Sequence, residues 1–149
     1  MNKNFKKLEF DKIQFNLSQF AVTYIGKDKS LNLLPSNDKE MVKELLSETD
    51  EAEKLLFRNS TPPIDEIADN TIAIKSLEAF GTLSIKSILE ITKILQMSND
   101  LKNYFFVEHI NPQDFVCLTK IFSELYTNKS IIDKIKICII DENNISDKA

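Results

Sequence analysis

Glycine and proline are scarce in this sequence, with only two glycines and four prolines among 149 residues. These residues mark most tight turns, so the chain has little material for the many short connections of a β-sandwich. Hydrophobic residues make up 42% and charged residues 28%, a balance typical of folded rather than disordered proteins. The composition therefore predicts an all-α fold, a multi-helix bundle of few, long helices.

In the first sixty residues, apolar side chains recur at mixed three- and four-residue spacing, the pattern of a helix with one buried face. It predicts a first helical region over residues 10–33. Gly26 inside this region indicates either a packing requirement or a break, because glycine costs about 1 kcal/mol relative to alanine in a helix. A second helix is predicted to begin within Ser36–Asp38, whose side chains can cap a first turn, and to end near Phe57.

Residues 58–64 are the firmest interruption, because two consecutive prolines there donate no backbone hydrogen bond and disfavour helical geometry. We expect a sub-boundary of the fold at this point. A short helix should follow, with Gly81 as its C-terminal cap. Ser84 is placed to cap the next helix, which we expect to continue to Phe105.

Two more helices are predicted near the C-terminus. Proline and an acidic residue in the first turn favour a helix start within Asn111–Asp114. The apolar stripe that follows is typical of a core-facing helix and only occasionally of a partner groove; it consists of Phe115, Leu118, Phe122 and Leu125. The last helix is predicted to begin at Ser130, in a sequence resembling a capping box with Asp133 in place of Glu or Gln.

Side chains capable of catalysis or metal binding form no complete constellation. Six carboxylates crowd the second predicted helix, but lysines are interleaved with them, which favours a solvent-exposed face over acid–base or metal chemistry; they are Glu40, Glu44, Glu48, Asp50, Glu51 and Glu53. His109, the only histidine, lacks the companions of a zinc site or a catalytic triad. Cys117 and Cys138 are expected to be reduced core thiols. We therefore assign no catalytic, cofactor-binding or metal-binding residue.

The charge of the chain and its lack of known motifs limit the kinds of molecule that it can be expected to bind by itself. The net charge is −4 and Arg58 is the only arginine, whereas modules that bind DNA alone usually carry a basic patch and arginines for bidentate contacts. The sequence has no phosphate-binding loop and no hydrolase or zinc-protease motif. It has neither a signal peptide nor an apolar run long enough to span a membrane, so we expect a cytoplasmic protein.

An ordered series of short motifs resembles the bacterial MutS-II family, MutS paralogues that lack the mismatch-reading domain. The series covers nearly the whole chain, and none of its members is catalytic. It consists of Leu8-Glu9-Phe10-Asp11-Lys12-Ile13, Ala21, Gly26, Leu33-Leu34-Pro35-Ser36, Glu48-Thr49-Asp50-Glu51-Ala52, Pro62-Pro63-Ile64, Gly81-Thr82-Leu83-Ser84 and residues 138–149. Phe106-Val107-Glu108 and Phe122-Ser123-Glu124 also match the Phe-x-Glu wedge of MutS proteins proper, but we interpret both as chance matches in helical context.

The resemblance implies that residues 1–149 are the N-terminal helical core segment of a longer protein, cut off where the family continues into a long helix. Members are dimeric ATPases with lever arms, a clamp and a C-terminal nuclease domain. They are associated with branched DNA, suppression of recombination and rescue of collided ribosomes. The resemblance implies ATP and Mg²⁺ only beyond this chain, with self, branched DNA or ribosomal RNA as partners of the parent protein and no membrane.

Two alternatives remain open. The chain could be an independent helical interaction module that binds a protein partner through an apolar groove, without a nucleic-acid role. A reading frame that continues past Ala149 into a lysine-bearing phosphate loop would exclude this alternative. A small helical enzyme is a third interpretation, and it would require His109 to cluster in space with nearby acids.

Overall fold

The computed structural model describes residues 9–107 and 110–139, and within these ranges every regular element is helical. The all-α prediction is confirmed. The helices are α1 (Phe10–Phe20), α2 (Tyr24–Leu31), α3 (Lys39–Arg58), α4 (Thr71–Glu78), α5 (Ile85–Val107), α6 (Val116–Ser123) and α7 (Lys129–Cys138), with a 3₁₀ turn at Pro112–Asp114.

The first helical region is two helices, and the break lies at Ala21–Thr23 rather than at Gly26. Thr23 ends the interruption, because its hydroxyl oxygen accepts a hydrogen bond from the backbone N–H of Gly26 at 3.1 Å and so caps α2. A Cβ on Gly26 would lie 3.1 Å from this Thr23 oxygen and 3.3 Å from the Ala21 Cβ. These close distances agree with the packing interpretation of Gly26, and the break that was its alternative is found a few residues earlier.

The predicted start of the second helix is confirmed and narrowed to one residue. The Asp38 carboxylate accepts hydrogen bonds from the backbone N–H groups of Glu40 at 3.0 Å and Met41 at 3.1 Å. These bonds pair two of the donors that a helix N-terminus leaves unsatisfied. The helix then runs for 20 residues to Arg58, one residue beyond the predicted end.

The end of α4 differs from the prediction, because Gly81 is not the residue that adopts the left-handed conformation. Phe80 does, with φ 57°. The N–H of Phe80 donates to Leu77 O at 2.9 Å, and the N–H of Gly81 donates to Ser76 O at 2.8 Å, which is the Schellman pattern. Gly81 follows directly after this left-handed residue, and its lack of a side chain provides space there, since a Cβ on Gly81 would come within 2.4 Å of Ser76 Oγ.

The N-terminal cap of α5 is Ser84, as predicted, whereas the N-terminal cap of α7 is not the predicted Ser130. The Ser84 hydroxyl accepts a hydrogen bond from the N–H of Ser87 at 3.1 Å, and α5 continues past Met97 as expected. The helix start predicted at Asn111 is a 3₁₀ turn, and α6 begins after Phe115. The last helix is capped by Asn128, whose side-chain oxygen accepts from Ile131 N–H at 3.1 Å, so the prediction of Ser130 was wrong by two residues.

The core is an aromatic cluster where the C-terminal halves of α3 and α5 meet α6. Phe105 is fully buried at its centre, with the Phe122 ring stacked on it at a centroid distance of 4.4 Å and the Phe115 ring edge-on at 6.3 Å. Leu55, Tyr104, Ile110 and Leu118 complete the cluster. The predicted stripe on α6 is therefore core.

The segment between α3 and α4 has no regular secondary structure, and it is hydrogen-bonded to α5 at two points. The Tyr104 hydroxyl donates to Ser60 O at 2.6 Å, and the Lys93 ammonium donates to Glu66 O at 3.0 Å. Both bonds pair backbone carbonyls that the prolines leave outside any helix. The segment includes all but the first of residues 58–64, where a sub-boundary of the fold was expected. That these residues divide the fold into two parts stays a prediction.

Candidate interaction surface

No group of three or more histidine, cysteine, aspartate or glutamate side chains in residues 9–107 and 110–139 is arranged to hold a metal ion. His109 lies outside these ranges. Cys117 and Cys138 are free thiols and half-buried, rather than the core thiols expected. Within the described part of the chain, the buried side-chain nitrogen and oxygen atoms all have hydrogen-bond partners, so none of them is an unsatisfied group awaiting a ligand.

One of the six carboxylates of α3 has a role that the sequence analysis missed. Glu51 accepts hydrogen bonds from the backbone N–H groups of Cys117 at 3.1 Å and Leu118 at 2.9 Å. It thus supplies the N-terminal cap of α6, where Phe115 provides no side-chain cap of its own. The solvent-exposed interpretation is wrong for Glu51, although it holds for Glu40 and Asp50, which pair only with lysines of their own helix.

The electrostatics of this junction follow from the two hydrogen bonds. Desolvation by its surroundings raises the pKa of Glu51, but the backbone N–H groups of Leu118 and Cys117 outweigh it, and the net pKa lies below the ordinary 4.5. Desolvation and the negative charges of Glu51, Glu48 and Glu44 raise the pKa of the Cys117 thiol. Cys117 is therefore held as a thiol, which is the unreactive form.

A large apolar concavity lies between the α1–α2 hairpin, the loop after it and the first half of α3. We call it the α1–α3 groove, and its volume is about 960 Å³. Its apolar lining consists of Phe10, Leu17, Leu33, Leu34, Pro35, Met41, Val42, Leu45 and Leu46. Gln14 fixes one wall, because its side-chain amide donates to Leu33 O at 2.6 Å.

Large apolar side chains are exposed both in the groove and elsewhere on the described residues. Leu34 and Leu46 in the groove are 65% and 62% exposed, and Phe57 and Phe80 elsewhere are 93% and 99% exposed. Neighbouring apolar side chains exposed in this way are typical of an interaction surface.

Of the two Phe-x-Glu matches, only that of Phe122 lies wholly within the described residues. Phe122 belongs to the aromatic core, where its ring stacks on Phe105. Phe106 lies near the end of α5 with its ring centroid 5.1 Å from that of Phe105, and Glu108 lies outside the described residues. The position of Phe122 agrees with the interpretation of its match as a chance one, since a core ring is unavailable to a DNA base step.

Curated proteins named endonuclease MutS2 match almost the entire chain. The protein of Ruminiclostridium cellulolyticum is 29% identical and that of Acetivibrio thermocellus 30% identical, each over 147 residues. That of Clostridium kluyveri is 31% identical over the same length. Each match covers 99% of this chain.

The chain is related to the MutS2 family. The resemblance predicted from its motifs is thereby confirmed, although no family model matches the sequence. This MutS2-related chain spans only 18–19% of the length of the relatives it matches. None of the helices in residues 9–107 and 110–139 combines the length and hydrophobicity needed to cross a bilayer.

Sequence reasoning could find the apolar residues of the groove but not their exposure, and it could not find the Glu51 junction. Met41, Leu45 and Leu46 follow a helical spacing, which predicts an apolar face of α3 without saying what covers it. Glu51 carries no such signal, because its partners lie 66 and 67 residues away and are backbone groups, which have no residue identity to recognise.

Proposed function

We propose that this chain is the N-terminal helical core segment of a MutS2-like DNA endonuclease, in which it serves as a scaffold. The observation that carries the proposal is the match of 99% of the chain to 18–19% of proteins named endonuclease MutS2. The exposed apolar surface supports it, because a segment of a larger core needs neighbours on several faces. Two helices tied by Glu51 and an aromatic core give the segment the rigidity of a scaffold.

The parent's activities belong to this proposal through the family resemblance. They are ATP hydrolysis with Mg²⁺, DNA cleavage, dimerisation, action on branched DNA in repair and in suppression of recombination, and rescue of ribosomes in the cytoplasm. The scaffold would relay the nucleotide state of the ATPase towards the clamp, which requires two arrangements of its helices. The chain's own residues would contribute positions for neighbouring helices and no catalytic group.

A replacement experiment tests the scaffold role. The segment of the Acetivibrio thermocellus relative that matches this chain is deleted in one variant and exchanged for this chain in another, and cleavage of branched DNA is measured for both. We expect the deletion to be inactive and the exchange to recover at least a tenth of the native rate. A folded exchange variant as inactive as the deletion would overturn the proposal.

The alternative of an independent interaction module is favoured by one observation, the α1–α3 groove. A fluorescence-anisotropy titration against a labelled four-way junction and plain duplex does not separate the two functions, because we expect neither a scaffold segment nor an interaction module to bind either DNA. A reading frame continuing into an ATPase therefore remains the deciding observation between them.

A further inference from the structure

We propose that the α1–α3 groove is the docking site of an amphipathic α-helix contributed by the part of a MutS2-like polypeptide that lies outside the matched segment. The inference rests on the proposed function, and it adds that the scaffold binds a helix of the same polypeptide in the α1–α3 groove. It concerns one surface, separate from the aromatic core and from the Glu51 junction.

The shape of the groove favours a helix. Its walls are helical faces, α1 with Phe10 and Leu17 on one side and α3 with Met41, Leu45 and Leu46 on the other. A third helix laid between two others buries its apolar stripe against both, as in helix-in-groove recognition. The volume of about 960 Å³ is large enough to accept the apolar side chains of two to three turns.

The charges at the rim define the chemistry of the occupant. Asp28, Lys29 and Glu48 are the charged residues that line the groove. Within the described part of the chain none of the three forms an ion pair. Two acids against one lysine favour a helix with lysine or arginine beside its apolar stripe. Such a cation could form an ion pair with Glu48 on α3 or with Asp28 on α2, whose carboxylate otherwise accepts only a hydrogen bond from the Asn32 amide at 3.1 Å.

The length of the relatives favours this occupant over a second copy of the chain. Of the Acetivibrio thermocellus relative, 18% is matched, so about four fifths of such a polypeptide lies outside the segment. A covalently linked helix reaches the groove at an effective concentration near the millimolar range, which a separate copy attains only at high protein concentration. The linked helix therefore outcompetes the copy.

The test uses two polypeptide probes and three forms of this chain. The probes are the Acetivibrio thermocellus relative lacking its matched segment, and labelled overlapping 25-residue peptides covering that same polypeptide. The chain is used unchanged, as Leu46→Glu in the groove, and as Leu56→Glu. Leu56 is the matched control, since it is a leucine of the same helix, 53% exposed against 62% for Leu46, and outside the groove.

We expect the long probe and at least one amphipathic peptide to bind the unchanged chain and Leu56→Glu, with affinity at least tenfold lower for Leu46→Glu. Equal binding of the long probe to all three forms would overturn the groove as docking site and leave the scaffold proposal standing. Absence of binding to any form would overturn the scaffold proposal as well. Light scattering that finds dimers disrupted by Leu46→Glu, with no peptide bound, would assign the groove to a second copy and also overturn the inference.

Discussion

Glu51 links two helices that are far apart in sequence, and its removal tests how much the link contributes. Glu51→Ala leaves two N–H groups of α6 without a side-chain acceptor, so we expect the free energy of unfolding to fall by about 1 kcal/mol. Glu53→Ala is the control, because Glu53 is an exposed carboxylate of the same helix. Urea denaturation at pH 7 measures both, and equal losses would show that Glu51 acts only through general charge.

The pH dependence of the same link has a definite sign. Because its net pKa is lowered below 4.5 in the folded state, the Glu51 contribution is fully present above pH 4.5 and is lost as the pH falls through the lower folded value. The stability difference between the unchanged chain and Glu51→Ala should therefore shrink below pH 4.5. Denaturation between pH 3 and pH 7 measures it, and a difference independent of pH would contradict an ionised cap.

At the end of α4 the left-handed conformation is adopted by Phe80 and not by Gly81, and substitutions at the two positions test this geometry. Phe80→Gly places glycine at the left-handed position, which we expect to stabilise the chain by about 0.5–1 kcal/mol. Gly81→Ala should destabilise it by on the order of 1 kcal/mol, because the new Cβ would lie 2.4 Å from Ser76 Oγ, which can rotate away, and 2.9 Å from the backbone oxygen of Ser76, which cannot. Thermal unfolding measures both, and a stabilising Gly81→Ala would refute the observed geometry.

At the level of elements, α3, α5 and α6 pack around the buried ring of Phe105. Phe105→Ala removes a fully buried aromatic side chain and should cost about 3–5 kcal/mol. Phe57→Ala, at a 93% exposed phenylalanine of α3, should change stability by less than about 0.5 kcal/mol. Phe105→Leu should lie between them and gives a measurable value where the alanine variant does not fold. Denaturation curves that rank the three variants otherwise would contradict this core.

Helix existence was predictable here, and helix ends were predictable only where a local cap sets them. Asp38 and Ser84 bond to N–H groups two or three residues away, so their sequence neighbourhood contains the whole interaction. The N-terminus of α6 is set instead by Glu51 from another helix, and Asn128 was overlooked because Ser130 offered a similar signal. Tertiary partners and competing caps therefore account for these errors.

At the scale of the whole molecule, charge predicts how the chain alone meets nucleic acid. With a net charge of −4 it releases few counterions on binding, so we expect dissociation constants for duplex DNA above about 1 μM at physiological salt. It should also not hydrolyse ATP. Anisotropy titrations at two salt concentrations and a phosphate-release assay measure these expectations. Submicromolar duplex binding, or turnover that persists through rigorous purification, would contradict them.

The sequence predicted the fold class and the family but not the surface that needs a partner. Periodicity identifies apolar stripes, yet it does not say whether a stripe such as Phe115–Leu125 is buried or one such as Met41–Leu46 is exposed. That distinction depends on which helices approach each other, and the approach of α3 to α6 is set by contacts between distant residues such as Glu51 and Leu118.

The aromatic cluster also sets an order of events during synthesis. It joins Leu55 to Leu118, 63 positions later, whereas the α1–α2 hairpin closes between neighbouring helices. At about 5–20 residues per second, a ribosome needs roughly 3–13 seconds to translate from the first of these leucines to the second. During that interval the aromatic cluster cannot form, because α6 has not yet been synthesised. The leucines of α3 that have left the ribosome therefore stay uncovered and are accessible to chaperones.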